Sequence, residues 1–191
     1  MLYLASQSPR RRELLGQLGV TFSILDVDVA EVPYPEEIPV DYVHRVARDK
    51  AQAGWESLAR DAQSHALVIA SDTEVVLDNR IFGKPKDADD AVDMLQALSG
   101  RTHEVISAVC MMSAEKERSD ASISRVRFAS FSEAEIAAYV ASGEPFGKAG
   151  AYAIQGKGAT LIEHLEGSYS GVMGLPLFET ARLLRIFGVA F

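Results

Sequence analysis

Strands and helices alternate along this 191-residue chain, which places it in the α/β class. Three stretches carry that assignment. Leu2 to Leu15 runs from a short apolar segment of strand composition, through Ser6 and Ser8, into Pro9, three arginines and the apolar pair Leu14-Leu15. Ala66-Leu67-Val68-Ile69-Ala70 is a continuous apolar run, as expected of a strand covered on both faces. Between them, Val40 to about Ala62 sets Val43, Val46, Ala47, Ala51 and Leu58 mostly at helical spacing.

In the first stretch, Ser8-Pro9 is a helix start: Ser caps, and Pro at the first helical position gives up an N–H that had no partner anyway. A strand that stops in a polar loop and re-emerges as a helix aims free amides outward, and with the helix dipole these attract an anion. Arg10, Arg11 and Arg12 add cationic forks that match phosphate oxygens. They also oppose the dipole, so an anionic ligand is the simplest compensation; a solvated basic turn is the plain alternative.

Thr21 to Leu25 alternates like a strand, and Asp26 to Pro39 is an acidic, proline-punctuated loop carrying Glu31, Glu36 and Glu37. The last two of these acids are expected to be solvated. Lys50 shares the inward stripe of the following helix, where it either snorkels or meets a buried anion. The apolar strand is expected to end at Ser71-Asp72-Thr73, where Asp72 is a catalytic or metal-binding carboxylate or else a turn cap. Val75 to Phe82 forms a hairpin, and the loop after it brings Lys84 near Asp72 in sequence. Ala88 to Leu98 is a helix stopped by Ser99-Gly100. Thr102 to Met112 and Ile123 to Phe131 are two long antiparallel strands joined through Ser113 to Asp120, and Arg125 and Arg127 mark one face of the second as wet or as lining a ligand groove. Ser132 and Glu135 make a capping box for a short helix to about Ala141. Gly143 to Gly174 is glycine-rich, with short strands and tight turns expected, and Pro176 to Phe187 is the last helix.

The composition, 48% hydrophobic and 24% charged, is that of an ordinary globular chain. Its length suits a single domain, residues 1–191, or two closely joined lobes. No apolar run reaches the roughly 18 residues of a membrane helix. The N-terminal apolar run is too short for a signal peptide and its positive charges follow it, so no leader and no membrane partner are expected. One cysteine, Cys110 in an apolar run, fits a reducing cytoplasm. A net charge of −8 argues against a general nucleic-acid binder and, with a local arginine cluster, for a small polyanion held in one place.

Several motifs fail on inspection. Gly143 to Ala149 is one residue short of a Walker loop and ends in Ala149 where a hydroxyl should hold magnesium. Gly156-Lys157-Gly158 begins a dinucleotide fingerprint that Leu161 breaks. The four histidines are too scattered for a zinc site, and no Cys/His nucleophile pair or Gly-x-Ser-x-Gly elbow is present.

Three segments in order, Ala5-Ser6-Gln7-Ser8-Pro9-Arg10-Arg11, Ser71-Asp72-Thr73 with Gly83-Lys84-Pro85, and Ala149 to Gly156 (AGAYAIQG), resemble the Maf family of nucleotide pyrophosphatases. Leu98 to His103 and Gly167 to Leu177 extend the likeness over essentially the whole chain. The resemblance implies a Maf/ITPase-like α/β fold: a mixed twisted sheet with flanking helices, in two lobes around a central cleft. It implies hydrolysis of a nucleoside triphosphate to monophosphate and diphosphate with a divalent cation, Mg²⁺ or Mn²⁺, often by a homodimer. Matched by position, Asp72 is the proton acceptor, and Ser8, Arg10, Arg11, Lys50 and Lys84 bind phosphate. Glu31 is a loop acid beside Asp72 at the metal. Arg10, Thr73 and Gln155 take the form of the branch acting on dTTP and UTP. A Gln amide offers a donor and an acceptor together, as a pyrimidine edge requires. Glu74 stands where the family is usually apolar; it either adds a carboxylate beside Asp72 or faces solvent, and solvent is the expectation. Two other readings stay open: a pyrophosphatase for 7-methyl-GTP or modified purine nucleotides, and a non-catalytic nucleotide sensor acting on cell division.

Overall fold

The computed structural model describes residues 1–191 and organises them around one long strand. In chain order the elements are β1 (Leu2–Ala5), α1 (Pro9–Gln17), β2 (Phe22–Leu25), α2 (Pro39–Glu56), α3 (Arg60–Gln63), β3 (Leu67–Leu77), β4 (Arg80–Phe82), α4 (Ala88–Leu98), β5 (Thr102–Met112), β6 (Glu117–Phe128), α5 (Glu133–Ala141), β7 (Ile162–Glu166), α6 (Tyr169–Met173) and α7 (Leu177–Ile186), with 3₁₀ turns at Ala149–Ala151 and Lys157–Leu161. The strands form one seven-stranded sheet in the order β2-β1-β3-β5-β6-β7, with β4 also on β3. β1 runs parallel to β2 and β3; all other pairings are antiparallel.

The expected end of the apolar strand at Ser71 is overturned. β3 continues unbroken to Leu77, and Ser71, Asp72 and Thr73 pair with Val109, Ala108 and Ser107 of β5. Polar residues inside a buried strand look like a strand end in one dimension, but β5 supplies their backbone hydrogen bonds. Because β5 occupies one edge of β3 from Val68 to Val76, β1 and β4 share the other. β1 covers it as far as Ile69 and β4 from Val75 onward, so the edge from Ala70 to Glu74 has no strand partner. That notch is where the chain can meet a ligand.

Side-chain alternation divides the two faces. Val68, Ala70 and Val76 pack with Ile106, Ala108 and Cys110 beneath Tyr42, Val43, Val46, Ala47 and Ala51 of α2. On the opposite face there are two cores: Leu67 and Ile69 lie with Leu14, Leu15 and Leu184, while Val75 and Leu77 lie with Leu95, Leu98 and Phe128. Between those cores runs a polar seam. Ser71 Oγ donates to Gly174 O (2.9 Å), Ser107 Oγ donates to Gly171 O (2.6 Å), and Thr73 Oγ1 and Ser107 Oγ share a hydrogen bond (2.7 Å).

Other boundaries shift for local reasons. The helix from Val40 stops at Glu56, and Arg60–Gln63 is a separate turn. β6 starts at Glu117, not Ile123, and ends at Phe128, so the connection from Ser113 shrinks to a tight hairpin; its first residues are polar because that end of the strand is exposed or half-exposed. Arg125 and Arg127 form exposed cross-strand pairs with Glu166 and Glu163, which settles that face as wet. The glycine-rich stretch holds 3₁₀ turns, one strand and one short helix instead of several strands. Glu37 is no solvated acid: its two oxygens take Arg45 Nε (2.6 Å) and Nη2 (2.8 Å) and the Tyr34 amide (2.9 Å), and so pin the loop that carries Glu31. The N-cap at Ser8, the Asp78-Asn79 turn and the Ser132/Glu135 capping box form as expected. No helix is long and apolar enough to cross a membrane.

Gly150 packs directly onto Val75, just past the notch. It has φ +66°, its N–H donates to Gly83 O (3.1 Å), and an added Cβ would lie 2.8 Å from Val75 Cγ2. Left-handed backbone costs a non-glycine residue about 1–2 kcal/mol, and overpacking about 1–3. Gly150→Ala is therefore expected to lower unfolding stability by roughly 2–5 kcal/mol, measured by denaturant titration.

Candidate active site

A cleft of about 720 Å³ opens at the notch. The β1–α1 turn forms one wall, the Asp26–Pro39 loop another, and Phe146 to Gln155 a third; Asp72, Thr73 and Glu74 form the floor. No histidine or cysteine lines it. His103 is buried in a core instead, shares a hydrogen bond with the Tyr152 hydroxyl (2.9 Å), and is pushed down to about 4 by burial.

Asp72 is 4% exposed. Its Oδ1 accepts from Lys50 Nζ at 2.7 Å, while Oδ2 is buried with no partner. Lys50 itself is 8% exposed, because its stem runs down the apolar stripe of α2 onto β3; of the two roles open to it, it takes the buried anion. The same ammonium lies 2.5 Å from Glu31 Oε1, and Lys84 Nζ lies 2.7 Å from Glu31 Oε2. Lys84 thus reaches Glu31, not Asp72. These cations and burial compete over Glu31; the lysines win and hold its carboxyl at about 2.

Glu74 corrects the expectation of a solvent-facing side chain. Two residues beyond Asp72, it lies on the same strand face under α2, is 7% exposed, and makes no hydrogen bond; its Oε2 is buried and unpartnered. Burial first, then the like charges of Asp72 and Glu31, push it up to about 8. An ordinary glutamate in the unfolded chain titrates near 4.5. The folded state therefore binds this proton more tightly, so the associated stability is complete below 4.5 and is lost as pH rises through 8. Without added divalent cation, unfolding stability should decline across that window, and Glu74→Gln should flatten the decline. Chemical denaturation at a series of pH values checks it.

On the opposite wall, Ser8 Oγ caps α1 by accepting from the Arg11 amide (3.4 Å). Arg10 lines the cleft half-buried, with no hydrogen bond or ion pair to its guanidinium; burial, then Arg11, lowers its pKa. Arg11 donates from Nε to Gly174 O (2.8 Å) and from Nη2 to Thr73 Oγ1 (3.4 Å), so it ties α1 to the polar seam. Gly174, at φ +126°, turns its carbonyl toward Arg11, Ser71 and Thr73 together. Arg12, third of the arginine run, is exposed and outside the cleft.

Gln155 lies at the cleft rim, exposed, on a loop that sequence reasoning did not explain. Glu144 holds that loop: its carboxylate accepts from the Lys157 amide (2.9 Å), the Gly158 amide (2.8 Å) and Tyr139 Oη (2.8 Å), and Tyr139 Oη in turn accepts from the Ala153 amide (3.1 Å). No local motif announces Glu144, since its partners lie on other turns.

Ser8, Arg10, Arg11, Lys50, Asp72, Thr73, Lys84, Gln155 and Glu31 thus border one cleft, though Lys50 and Lys84 are held by the protein's own acids. For a divalent cation, the test is the donor set. Asp72 Oδ2 and Glu74 Oε2 are hard oxygen donors, buried and without protein partners, and such oxygens suit Mg²⁺ or Mn²⁺.

The fold and cleft define an α/β protein that gathers cations and two buried carboxylates around one open cleft. The chain belongs to the Maf-like protein family, whose profile matches residues 1–187. It is 57% identical over 189 residues to a dTTP/UTP pyrophosphatase of Xanthomonas campestris pv. campestris, covering 98% of this chain and 99% of that one. It is 57% identical to a dTTP/UTP pyrophosphatase of Methylococcus capsulatus (98% and 91% covered) and 51% identical to one of Aromatoleum aromaticum (98% and 95%). Among solved structures, the Staphylococcus aureus Ham1 protein aligns at TM-score 0.43 and 15% identity over 67% of this chain and 71% of the other, a likeness too loose to bear on the site.

Proposed function

We propose that the protein hydrolyses dTTP and UTP to the monophosphate and diphosphate, in the cytoplasm and as a homodimer, with Mg²⁺ or Mn²⁺. The observation that carries this is the meeting of Asp72, with one free buried oxygen, and the cations Lys50, Lys84, Arg10 and Arg11 around one cleft, in a chain so similar to proteins named for that reaction.

Attack by water on the α-phosphate breaks the bond to the β-phosphate and releases diphosphate. Asp72 either accepts the proton of that water or holds the cation, which when bound neutralises phosphate charge and lowers the pKa of bound water. Arg10, free of protein acids, meets phosphate oxygens at once, together with the Ser8 turn and Arg11. Lys50 and Lys84 follow when the more highly charged triphosphate replaces Glu31 as their partner; Asp72 and Glu31 are acids that would hold the cation. Positive charge set in advance around the leaving diphosphate is where most phosphoryl-transfer catalysis arises. Gln155 and Thr73 face the base, and Glu144 keeps the Gln155 loop in place.

Diphosphate release from dTTP, UTP, 7-methyl-GTP and inosine triphosphate, each with Mg²⁺ and Mn²⁺, tests the reading. A site that hydrogen-bonds a pyrimidine edge forfeits those bonds with the wrong base, and discrimination built on such bonds reaches tenfold or more. We expect dTTP and UTP to lead in kcat/KM by at least about tenfold. Faster turnover of 7-methyl-GTP or inosine triphosphate overturns the base assignment, and background release with all four overturns the enzyme reading.

A further inference from the structure

We infer that Glu74 is a ligand for the divalent cation, completing with Asp72 a two-carboxylate site along the open edge of β3. The identity of the cleft rests on the pyrophosphatase reading above; the assignment of the ligand rests on the surroundings of Glu74.

Glu74 lines the cleft at 7% exposure, without a hydrogen bond or ion pair, and its Oε2 is closed off from solvent. Asp72 has the same unmet need at Oδ2. Strand alternation puts both carboxylates on one face, two residues apart. The protein offers them little: directly across on β5 stand Ala108 and Ile106, and along β3 stand Ala70 and Val76, all apolar. An aliphatic residue at 74 would sit there with no loss of hydration, whereas a buried carboxylate without a counter-charge is costly.

Both lysines of the site are seated on the other two acids. Lys50 bridges Glu31 and Asp72, Lys84 takes the other oxygen of Glu31, and no cation contacts Glu74. Glu31 could ligate an ion only by giving up an ammonium group, while Glu74 is already free. A divalent cation accepts oxygens from one or two carboxylates and fills the rest of its shell with phosphates and water, so one ion satisfies both orphaned oxygens of β3 together.

Mn²⁺ binding to the full-length protein and to Glu74→Gln and Glu74→Val, followed by the electron paramagnetic resonance of the free ion, tests this with and without α,β-imido-dUTP as an unhydrolysed probe. The wild type is expected to bind Mn²⁺, and both variants to bind at least about tenfold more weakly, the scale of losses around metal sites. Mn²⁺ should also raise the melting temperature of the wild type more than that of either variant. Both variants replace a buried acid, so in metal-free buffer they should melt at or above the wild-type temperature. Unchanged affinity in the variants, or no Mn²⁺ binding by the wild type in either condition, overturns the inference. Mn²⁺ held through Glu74 in a protein that releases no diphosphate from dTTP or UTP overturns the functional reading and leaves the ligand in place. An active pyrophosphatase whose Mn²⁺ affinity ignores position 74 does the reverse.

Discussion

Asp72→Asn lowers kcat on dTTP or UTP by more than about 100-fold, the low end of what a positioned general base supplies, and leaves the fold intact. The amide keeps the size of the side chain and its carbonyl can still accept from Lys50, so packing against Ala108 across the strand is undisturbed. What disappears is the negative charge and the free second oxygen, which alone can take a proton or face a cation. Steady-state diphosphate release at saturating Mn²⁺, beside a circular dichroism melt of the same sample, measures both sides. A variant that keeps the wild-type rate under those conditions removes Asp72 from the chemistry.

The second large effect is on stability. Lys50→Met leaves Asp72 and Glu31 facing each other without the ammonium between them, in a place where the side chains of Lys50 and Asp72 are 11% and 5% exposed. Removing one partner of a buried pair typically costs about 3–5 kcal/mol. For a domain of this size that is a fall of roughly 6–20 °C in melting temperature, at about 2–4 °C per kcal/mol. The double variant Lys50→Met/Asp72→Asn should regain part of the loss, because the stranded charge goes with it. If Lys50→Met melts with the wild type, the pair contributes nothing and Lys50 merely snorkels.

The sequence was most legible where local chemistry decides structure. Ser8-Pro9 caps α1, Ser132 and Glu135 cap α5, and Asp78-Asn79 turn the β3–β4 hairpin through interactions between near neighbours. It was least legible where the tertiary structure overrides a local signal. Ser71-Asp72-Thr73 resembles the end of a strand, and only pairing with β5 shows that the carboxylate stands mid-strand at a gap in the sheet. Glu74 could not be placed for the same reason: its face follows from a strand that was expected to have stopped. The polar start of β6 hid a strand because that end of the sheet is largely exposed. Lys50 was visible as an oddity on an apolar stripe, but its acids come from β3 and from a distant loop, and no spacing rule links them.

The hold of Glu31 on both lysines bears on which anions can stay in the cleft. An incoming group has to outbid an internal carboxylate already seated at 2.5 and 2.7 Å, so its advantage grows with the charge it brings. A triphosphate can displace the acid; a nucleoside monophosphate, with less charge and no diphosphate arm, yields the lysines back to it. On the reading proposed above, the loop acid thus competes for the lysines with the nucleotide left after cleavage, and a monophosphate is held less tightly than the triphosphate it came from.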